Sequence, residues 1–110
     1  MQVLLLLCLV FSISAQWSCS IDDIRSSNGN ICCNSEAEQL MQEKMGEGGN
    51  PKTLAVAIRD ELEVLEPGFW EVYVSESDFG FANYMVDTFH CKTQSENGFT
   101  GLAWKVLKER

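Results

Sequence analysis

The sequence contains little of what catalytic and nucleic-acid-binding sites usually need. It has one histidine among its 110 residues, and its 8 Lys and Arg residues face 16 Asp and Glu residues, which gives a net charge of −8. Nucleic acid and anionic membranes would repel so acidic a chain, so we expect no nucleic-acid partner. Beyond the N-terminus no apolar run is long enough to cross a bilayer, so we expect no direct membrane insertion.

The one long apolar run, residues 3–11, lies at the extreme N-terminus and is followed by small residues that include Ser14 and Ala15. It is too short to span a bilayer, and the pattern is typical of a secretory signal peptide. A buried N-terminal helix is the less favoured alternative. We therefore expect residues 1–15 to be removed by cleavage after Ala15 or Ser14, and the mature protein to be soluble, secreted and extracellular.

Four cysteines remain after this cleavage: Cys19, the adjacent pair Cys32-Cys33, and Cys91. An even number of cysteines behind an export signal is typical of a small domain stapled by disulfides. A bond within the pair is disfavoured, because its eight-membered ring strains the intervening peptide. The two other pairings each join one member of the pair to Cys19 and the other to Cys91. The bond to Cys91 closes a loop that the chain-entropy model values at about 4 kcal/mol.

The residues that could carry chemistry form no recognisable site. The cysteines lack the ligand spacing of a metal centre, so structural disulfides are favoured over a metal or redox site. His90 and Cys91 suggest a catalytic dyad, but neighbours on a strand point to opposite faces and should not meet. We therefore expect no catalytic residue, no metal, no cofactor and no enzyme activity. A solvated helix face, not a calcium site, explains most of the acidic residues Asp60, Glu61, Glu63, Glu66 and Glu71.

The first half of the mature chain predicts an arm and two helices. Residues 16–31 are polar and interrupted by SSNGN, so we expect an irregular N-terminal arm anchored only through Cys19. Asn34 and Ser35 look like helix-capping residues, and Ser35 and Glu38 have the spacing of a capping box, which predicts a helix over residues 36–45. Asn50 and Pro51 then suit the cap and first position of a second helix that ends near Glu66. The apolar stripes of the two helices are Ala37, Leu40, Met41 and Met45, and Leu54, Ala55, Ile58, Leu62 and Leu65.

The second half changes to an alternating pattern that predicts three strands. The first has Trp70, Val72 and Val74 on one face, and the second runs over residues 79–91. The third covers residues 99–107. In the second strand Phe79 and Phe81 share a face with Asn83 and Met85, and in the third Leu102, Trp104 and Val106 share one side.

Two helices followed by three strands with short turns predict an α+β fold, in which both helices pack on one face of a three-stranded antiparallel meander. Most of the aromatic residues should be core, while one or two exposed on the sheet would mark a binding surface. The aromatic residues in question are Phe69, Trp70, Phe79, Phe81, Phe99 and Trp104.

Several stretches follow one another in a characteristic order: CCNSEAEQLM, a helix with a Leu/Ala/Ile stripe, WEVYVSESDFGFANY, HC, and GFTGLAW. In order and spacing they resemble the ground-like domain of the hedgehog-related secreted proteins of nematodes, from Cys32 to Trp104. The resemblance implies a ground-like domain over residues 32–107 and a C-terminal tail of residues 108–110.

The same resemblance implies a non-enzymatic module for intercellular communication and signalling, whose partner is an extracellular protein or a patched-like membrane receptor. A structural protein of the extracellular matrix or cuticle is the alternative. A secreted effector or defence protein is a third interpretation, although the negative charge argues against membrane lysis.

The sequence departs from the family pattern in the last strand. The family usually carries a further cysteine there, in a context such as TCYAF, where this chain has Gly101. The resemblance thus implies that one member of the pair Cys32-Cys33 lacks its usual partner. Our hypothesis is that Cys19 takes that place and moves one disulfide from the last strand to the N-terminal arm.

Overall fold

A computed structural model of the protein describes residues 16–79 and 88–106. The predicted signal peptide, residues 1–15, and the predicted tail, residues 108–110, lie outside the described residues. The described part of the chain forms helices and one antiparallel sheet, which confirms the predicted α+β class. Its elements are α1 (Ile21–Ser26), α2 (Ser35–Gly46), α3 (Pro51–Leu65), β1 (Phe69–Ser75), β2 (His90–Gln94) and β3 (Thr100–Val106).

The strands lie in the order β1-β3-β2, so β3 is the central strand. Thr100 pairs with Ser75 of β1 on one side and with Gln94 of β2 on the other. The predicted meander is therefore wrong in its strand order. Residues 95–99 are a short turn that keeps β2 beside β3, whereas residues 76–89 are long enough for the chain to cross to the far side of β3.

Helices α2 and α3 pack on the same face of the sheet, as predicted. Helix α2 packs tightly against Gly101 of β3, where an added Cβ atom would lie 2.9 Å from Met41 Cε and 3.0 Å from Met45 Sδ. No larger side chain fits at this point of β3 without displacing the methionines. The hydrophobic core consists of Ala37, Met41, Met45, Leu54, Ile58, Leu62, Trp70, Cys91, Phe99 and Ala103.

Helix α2 begins one residue earlier than predicted, because Asn34 is its N-cap. The Asn34 Oδ1 atom accepts a hydrogen bond from the backbone N–H of Ala37 over 2.8 Å. The predicted capping box of Ser35 and Glu38 is wrong, since Ser35 is already the first helical residue. The Glu38 carboxylate instead accepts a hydrogen bond from Thr93 Oγ1 of β2 over 3.2 Å, which ties the helix to the sheet.

Helix α3 has the predicted beginning, with Asn50 as its N-cap and Pro51 as its first residue. Its last turn closes through the backbone N–H of Glu66, which donates to Leu62 O over 2.8 Å. The chain then reverses at Gly68, whose φ of 149° is a conformation that other residues rarely adopt. This reversal lays β1 directly against the helix that precedes it.

Strand β2 is much shorter than the predicted strand over residues 79–91. It begins at His90, while Phe79 belongs to no strand and residues 88–89 form a bend. Cys91 therefore lies near the beginning of its strand and not at the end. The predicted strand residues Phe81, Asn83 and Met85 lie outside the described residues.

The N-terminal arm is not irregular, because it contains helix α1. Ser20 and Asp23 form a capping box, with Ser20 Oγ accepting from the Asp23 N–H over 3.0 Å. Asn28 and Gly29 follow the helix with positive φ angles of 59° and 80°, which turn the chain towards the sheet. The prediction missed α1 because it has only six residues, of which Ile24 alone is buried.

Candidate functional site

The two adjacent cysteines form disulfides with two different partners. Cys32 is bonded to Cys91, 59 residues away, and Cys33 is bonded to Cys19, 14 residues away. The pair thus divides its bonds between the sheet and the arm, as the hypothesis from the resemblance required. Successive side chains of an extended segment point to opposite sides, so adjacent cysteines can reach partners in different parts of the fold.

The backbone around Cys32 and Cys33 extends the sheet beyond β2. The Cys33 N–H donates to His90 O, and the Lys92 N–H donates to Ile31 O, each over 3.0 Å. Cys32 pairs with Cys91 as an isolated antiparallel bridge. The outer edge of β2 is therefore covered by the chain itself and is held there by a disulfide.

His90 is buried on the opposite side of β2 from Cys91, with 4% of its surface exposed. Its Nε2 atom lies 3.0 Å from the carbonyl oxygen of Gly29 in the arm. The predicted separation of the two side chains is confirmed, so they form no dyad. Burial lowers the pKa of His90, the hydrogen bond to Gly29 opposes this shift, and the charge of Lys92 adds to it.

Lys92 is a buried lysine two residues further along the same face. Its Nζ atom donates to Asn30 Oδ1 of the arm and, over 3.1 Å, to Asp78 Oδ1. The ammonium group also lies 5.2 Å from the centre of the Phe79 ring. The hydrogen bond from Lys92, with a second from the backbone N–H of Phe79, lowers the pKa of Asp78. Lys92 thereby joins the arm, β2 and the segment after β1.

Trp17 of the arm packs against the core at the far end of the sheet. Its ring lies 5.4 Å from that of Trp70 and 5.6 Å from that of Phe89. The Lys105 ammonium group lies 4.3 Å from the centre of the Phe89 ring and forms an ion pair with Glu66 over 3.1 Å. The arm is consequently held by an aromatic contact as well as by Cys19, which corrects the prediction of a single anchor.

The outer face of the sheet, on the side away from α2 and α3, presents aromatic side chains to solvent. Phe69 is 57% exposed and Tyr73 is 49% exposed. Trp104 of β3 is half-buried, and its ring lies 5.4 Å from that of Tyr73. We call Phe69, Tyr73 and Trp104 the aromatic face. The Tyr73 hydroxyl donates to Glu71 Oε1 over 3.1 Å, which raises the pKa of Tyr73.

The aromatic residues divide between core and surface. Trp70 and Phe99 are buried, whereas Phe69 is exposed and Phe79 is half-buried. Sequence reasoning left Tyr73 out of the candidate aromatics, although its alternation with the buried Trp70 already placed it on the opposite face. Nothing in the sequence distinguished Trp17, because its contacts come from residues more than fifty positions away.

The described residues offer no centre for metal chemistry. Among residues 16–79 and 88–106, no group of three or more His, Cys, Asp or Glu side chains could hold a metal ion. No helix in the same part of the chain is long and apolar enough to span a bilayer.

A family model for the ground-like domain matches residues 29–104, which is most of the chain. The chain belongs to the ground-like domain family. The match includes the pair Cys32-Cys33, Cys91 and the aromatic face. The ground-like family is not known as an enzyme family. No curated protein matches this chain.

Gly101, where the resemblance led us to expect a cysteine, lies against helix α2. The position faces Met41 and Met45 in the middle and end of α2, whereas Cys33 precedes that helix.

Proposed function

We propose that this ground-like domain is a secreted, non-enzymatic binding module that acts in intercellular signalling. In this proposal the aromatic face contacts an extracellular protein or membrane receptor, and a patched-like receptor is the partner that the family suggests. The observation that carries the proposal is the exposure of Phe69 and Tyr73 on a sheet whose other face is fully used by the core.

The rigidity of the sheet supports a role in recognition. Aromatic side chains contribute a large part of the energy at protein interfaces, and they do so best when they are held in place before binding. Here Cys32–Cys91 fixes β2, and Tyr73 is held by Trp104 and by its hydrogen bond to Glu71. Little conformational entropy would be lost when a partner covers this surface.

The disulfides support secretion. Two cross-links in a domain of this size persist in oxidising compartments and are rare where thiols are kept reduced. The sequence pattern of residues 1–15 supports the same localisation.

A matrix or cuticle-associated structural protein is the second candidate function. The observation that favours it is the position of β1 at one side of the sheet, where no other strand within residues 16–79 and 88–106 lies beyond it, since edge strands associate readily with other strands. The two functions differ in the kind of partner that they require.

Affinity capture on intact cells tests the proposal. The bait is the secreted, oxidised protein with a C-terminal tag, compared with the double variant Phe69→Ser/Tyr73→Ser and with Val64→Ser. Val64 is 83% exposed on α3, so its substitution removes an even more accessible apolar side chain elsewhere. We expect a membrane receptor to be recovered with the original protein and with Val64→Ser, and to be lost with the double variant.

Recovery of matrix proteins alone would overturn the signalling proposal and support the second candidate. Recovery of the receptor by the double variant at the original level would show that the aromatic face is not the binding surface. Near-ultraviolet circular dichroism of all the baits checks that the disulfide-linked fold is retained.

A further inference from the structure

Glu71 lies in the middle of the aromatic face, among its three aromatic side chains. In β1 it is two residues from Phe69 and two from Tyr73, and alternate residues of a strand share a face. On β3 its direct cross-strand partner is Trp104, and the Cβ atoms of such a pair are about 4.5–5.5 Å apart. The sheet therefore places a carboxylate at the centre of three aromatic rings.

The side chain of Glu71 is held in position on this face. The Tyr73 hydroxyl donates to Glu71 Oε1 over 3.1 Å, and the Tyr73 ring lies 5.4 Å from the Trp104 ring. The hydrogen bond raises the pKa of Tyr73, so the hydroxyl keeps its proton at neutral pH. The carboxylate is thereby fixed beside the two rings, while the residue remains exposed to solvent.

No lysine or arginine in the described part of the chain forms an ion pair with Glu71. Lys52 and Arg59 of α3 line a groove of about 280 Å³ that Glu71 also lines. The carboxylate that pairs with Arg59 is nevertheless that of Asp60, over 3.1 Å. The charge of Glu71 is thus available to a cation that a partner supplies.

Aromatic rings and a carboxylate together recognise a cation, and an arginine side chain fits them best. The face of an aromatic ring attracts cations, among which arginine is more frequent than lysine. A guanidinium group is planar, so it stacks on a ring while its N–H groups donate to a carboxylate. A lysine ammonium group is a compact point charge and has no plane to stack.

We propose that Glu71, Tyr73 and Trp104 bind the guanidinium group of an arginine side chain that the partner protein presents. In this arrangement Phe69 contacts the aliphatic part of that arginine or its neighbours. The net charge of −8 favours the same occupant, because it attracts a basic surface from a distance. The inference rests on the proposed function, since it names the chemistry that the aromatic face recognises in its partner.

Titration of the oxidised mature protein with acetyl-arginine amide, followed by nuclear magnetic resonance, tests the proposal. The control ligand is acetyl-citrulline amide, which has nearly the same shape without the charge, at matched ionic strength. For this single side chain we expect a dissociation constant on the order of 10–100 mM. The shift changes should centre on Glu71, Tyr73 and Trp104, and the citrulline ligand should not produce them. Their absence with the arginine ligand, or equal changes with both ligands, would overturn the proposal.

Glu71→Gln removes the charge and keeps the size of the side chain, so it should weaken binding of acetyl-arginine amide about threefold to fivefold. Glu96→Gln is the matched control, because it changes the net charge equally at an exposed position in the turn between β2 and β3. It should leave the dissociation constant unchanged. Equal weakening by both substitutions would show only a general attraction to the acidic protein and would refute the site.

Receptor capture with Glu71→Gln separates this inference from the proposed function. If the aromatic face binds its receptor through an arginine, capture falls with Glu71→Gln as it does with Phe69→Ser/Tyr73→Ser. Capture that Glu71→Gln retains and the double variant loses would overturn the arginine site and leave the proposed function intact. If the original protein captures no receptor, the proposed function fails, and the titration with acetyl-arginine amide alone decides whether the site binds a guanidinium group.

Discussion

His90 Nε2 donates a hydrogen bond to the carbonyl oxygen of Gly29 over 3.0 Å, although 61 residues separate the two along the chain. A carbonyl oxygen only accepts hydrogen bonds, so Nε2 carries the proton and the neutral imidazole satisfies the contact. The histidine is buried, and it connects the turn after α1 to the beginning of β2. It therefore holds the arm against the sheet.

We predict that the free energy of unfolding decreases as the pH falls below about 6.5, the ordinary pKa of histidine. Burial lowers the pKa of His90 in the folded protein, so between the two pKa values the unfolded chain binds a proton that the folded one does not. Stability is complete above the unfolded pKa and is lost as the pH approaches the folded one. Urea unfolding at several pH values between about 5 and 8 measures this.

His90→Gln is the matched variant, because its amide nitrogen can still donate to Gly29 O but does not titrate. Its unfolding free energy should depend less on pH in this range. The sequence contains no other histidine, so an unchanged pH dependence in His90→Gln would contradict the assignment.

Gly101→Ala should reduce stability by about 1–3 kcal/mol, the usual range for adding an atom to a filled core. The new Cβ atom would lie 2.9 Å from Met41 Cε and 3.0 Å from Met45 Sδ, and both methionines are fully buried. Gly46→Ala is the control, since nothing lies within 4 Å of an added Cβ atom at that helical position. It should be neutral or stabilise by up to about 1 kcal/mol. Equal effects in urea unfolding would refute the close packing at Gly101.

Removal of the two disulfides should have unequal effects. The Cys32–Cys91 bond closes a loop of 59 residues and Cys19–Cys33 one of 14 residues. Chain entropy alone assigns them about 4 and about 3 kcal/mol. The first bond also holds the edge of β2, so Cys32→Ala/Cys91→Ala should destabilise the whole domain.

Cys19→Ala/Cys33→Ala should chiefly release the arm. Hydrogen exchange would then increase in residues 18–33 while the amides of β3 stay protected. Loss of protection throughout β3 in this variant would show that the arm is required for the core to fold.

Asn34 should contribute more to stability than Asn50, although both are N-caps. Asn34 is buried, and its Nδ2 atom donates to Gln16 O over 2.7 Å while Oδ1 caps α2. Asn50 is exposed, and its side chain serves its helix alone. Asn50→Ala should cost about 1 kcal/mol. Asn34→Ala should cost about 2–3 kcal/mol, because it also leaves the Gln16 carbonyl without its donor.

Asn34→Asp separates the two contributions of Asn34, since a carboxylate retains the cap and loses the donor to Gln16. Its loss of stability in urea should lie between that of Asn34→Ala and zero. Equal losses for Asn34→Ala and Asn50→Ala would show that the contact with Gln16 contributes nothing.

Local patterns were sufficient where a residue interacts with near neighbours in the chain. Asn50 and Pro51 start α3 as predicted, and the alternation of Trp70, Val72 and Val74 identified β1 and its buried face. The failures came where a distant residue competes for the same side chain. Glu38 had the spacing of a capping box, but Thr93 lies across the interface and takes its carboxylate.

In the candidate site, too, the sequence predicted features that depend on near neighbours and missed those that depend on distant residues. Alternation along β1 placed Tyr73 on the face opposite Trp70, and strand geometry correctly kept His90 away from Cys91. No local pattern predicted that Lys92 is buried. None predicted its hydrogen bonds to Asn30 and Asp78 either. The strand order was equally inaccessible, because a connection the length of residues 76–89 permits β3 to lie on either side of β2.

The sequence by itself determined the class of the domain, its long helices, and the rule that Cys32 and Cys33 bond to different partners, because helix periodicity, strand alternation and ring strain act over a few residues. Only the tertiary structure decided that Cys33 takes Cys19 and Cys32 takes Cys91. It also decided that β3 lies between β1 and β2. Those choices depend on where the arm lies against β2, and that position results from contacts between residues far apart in the chain.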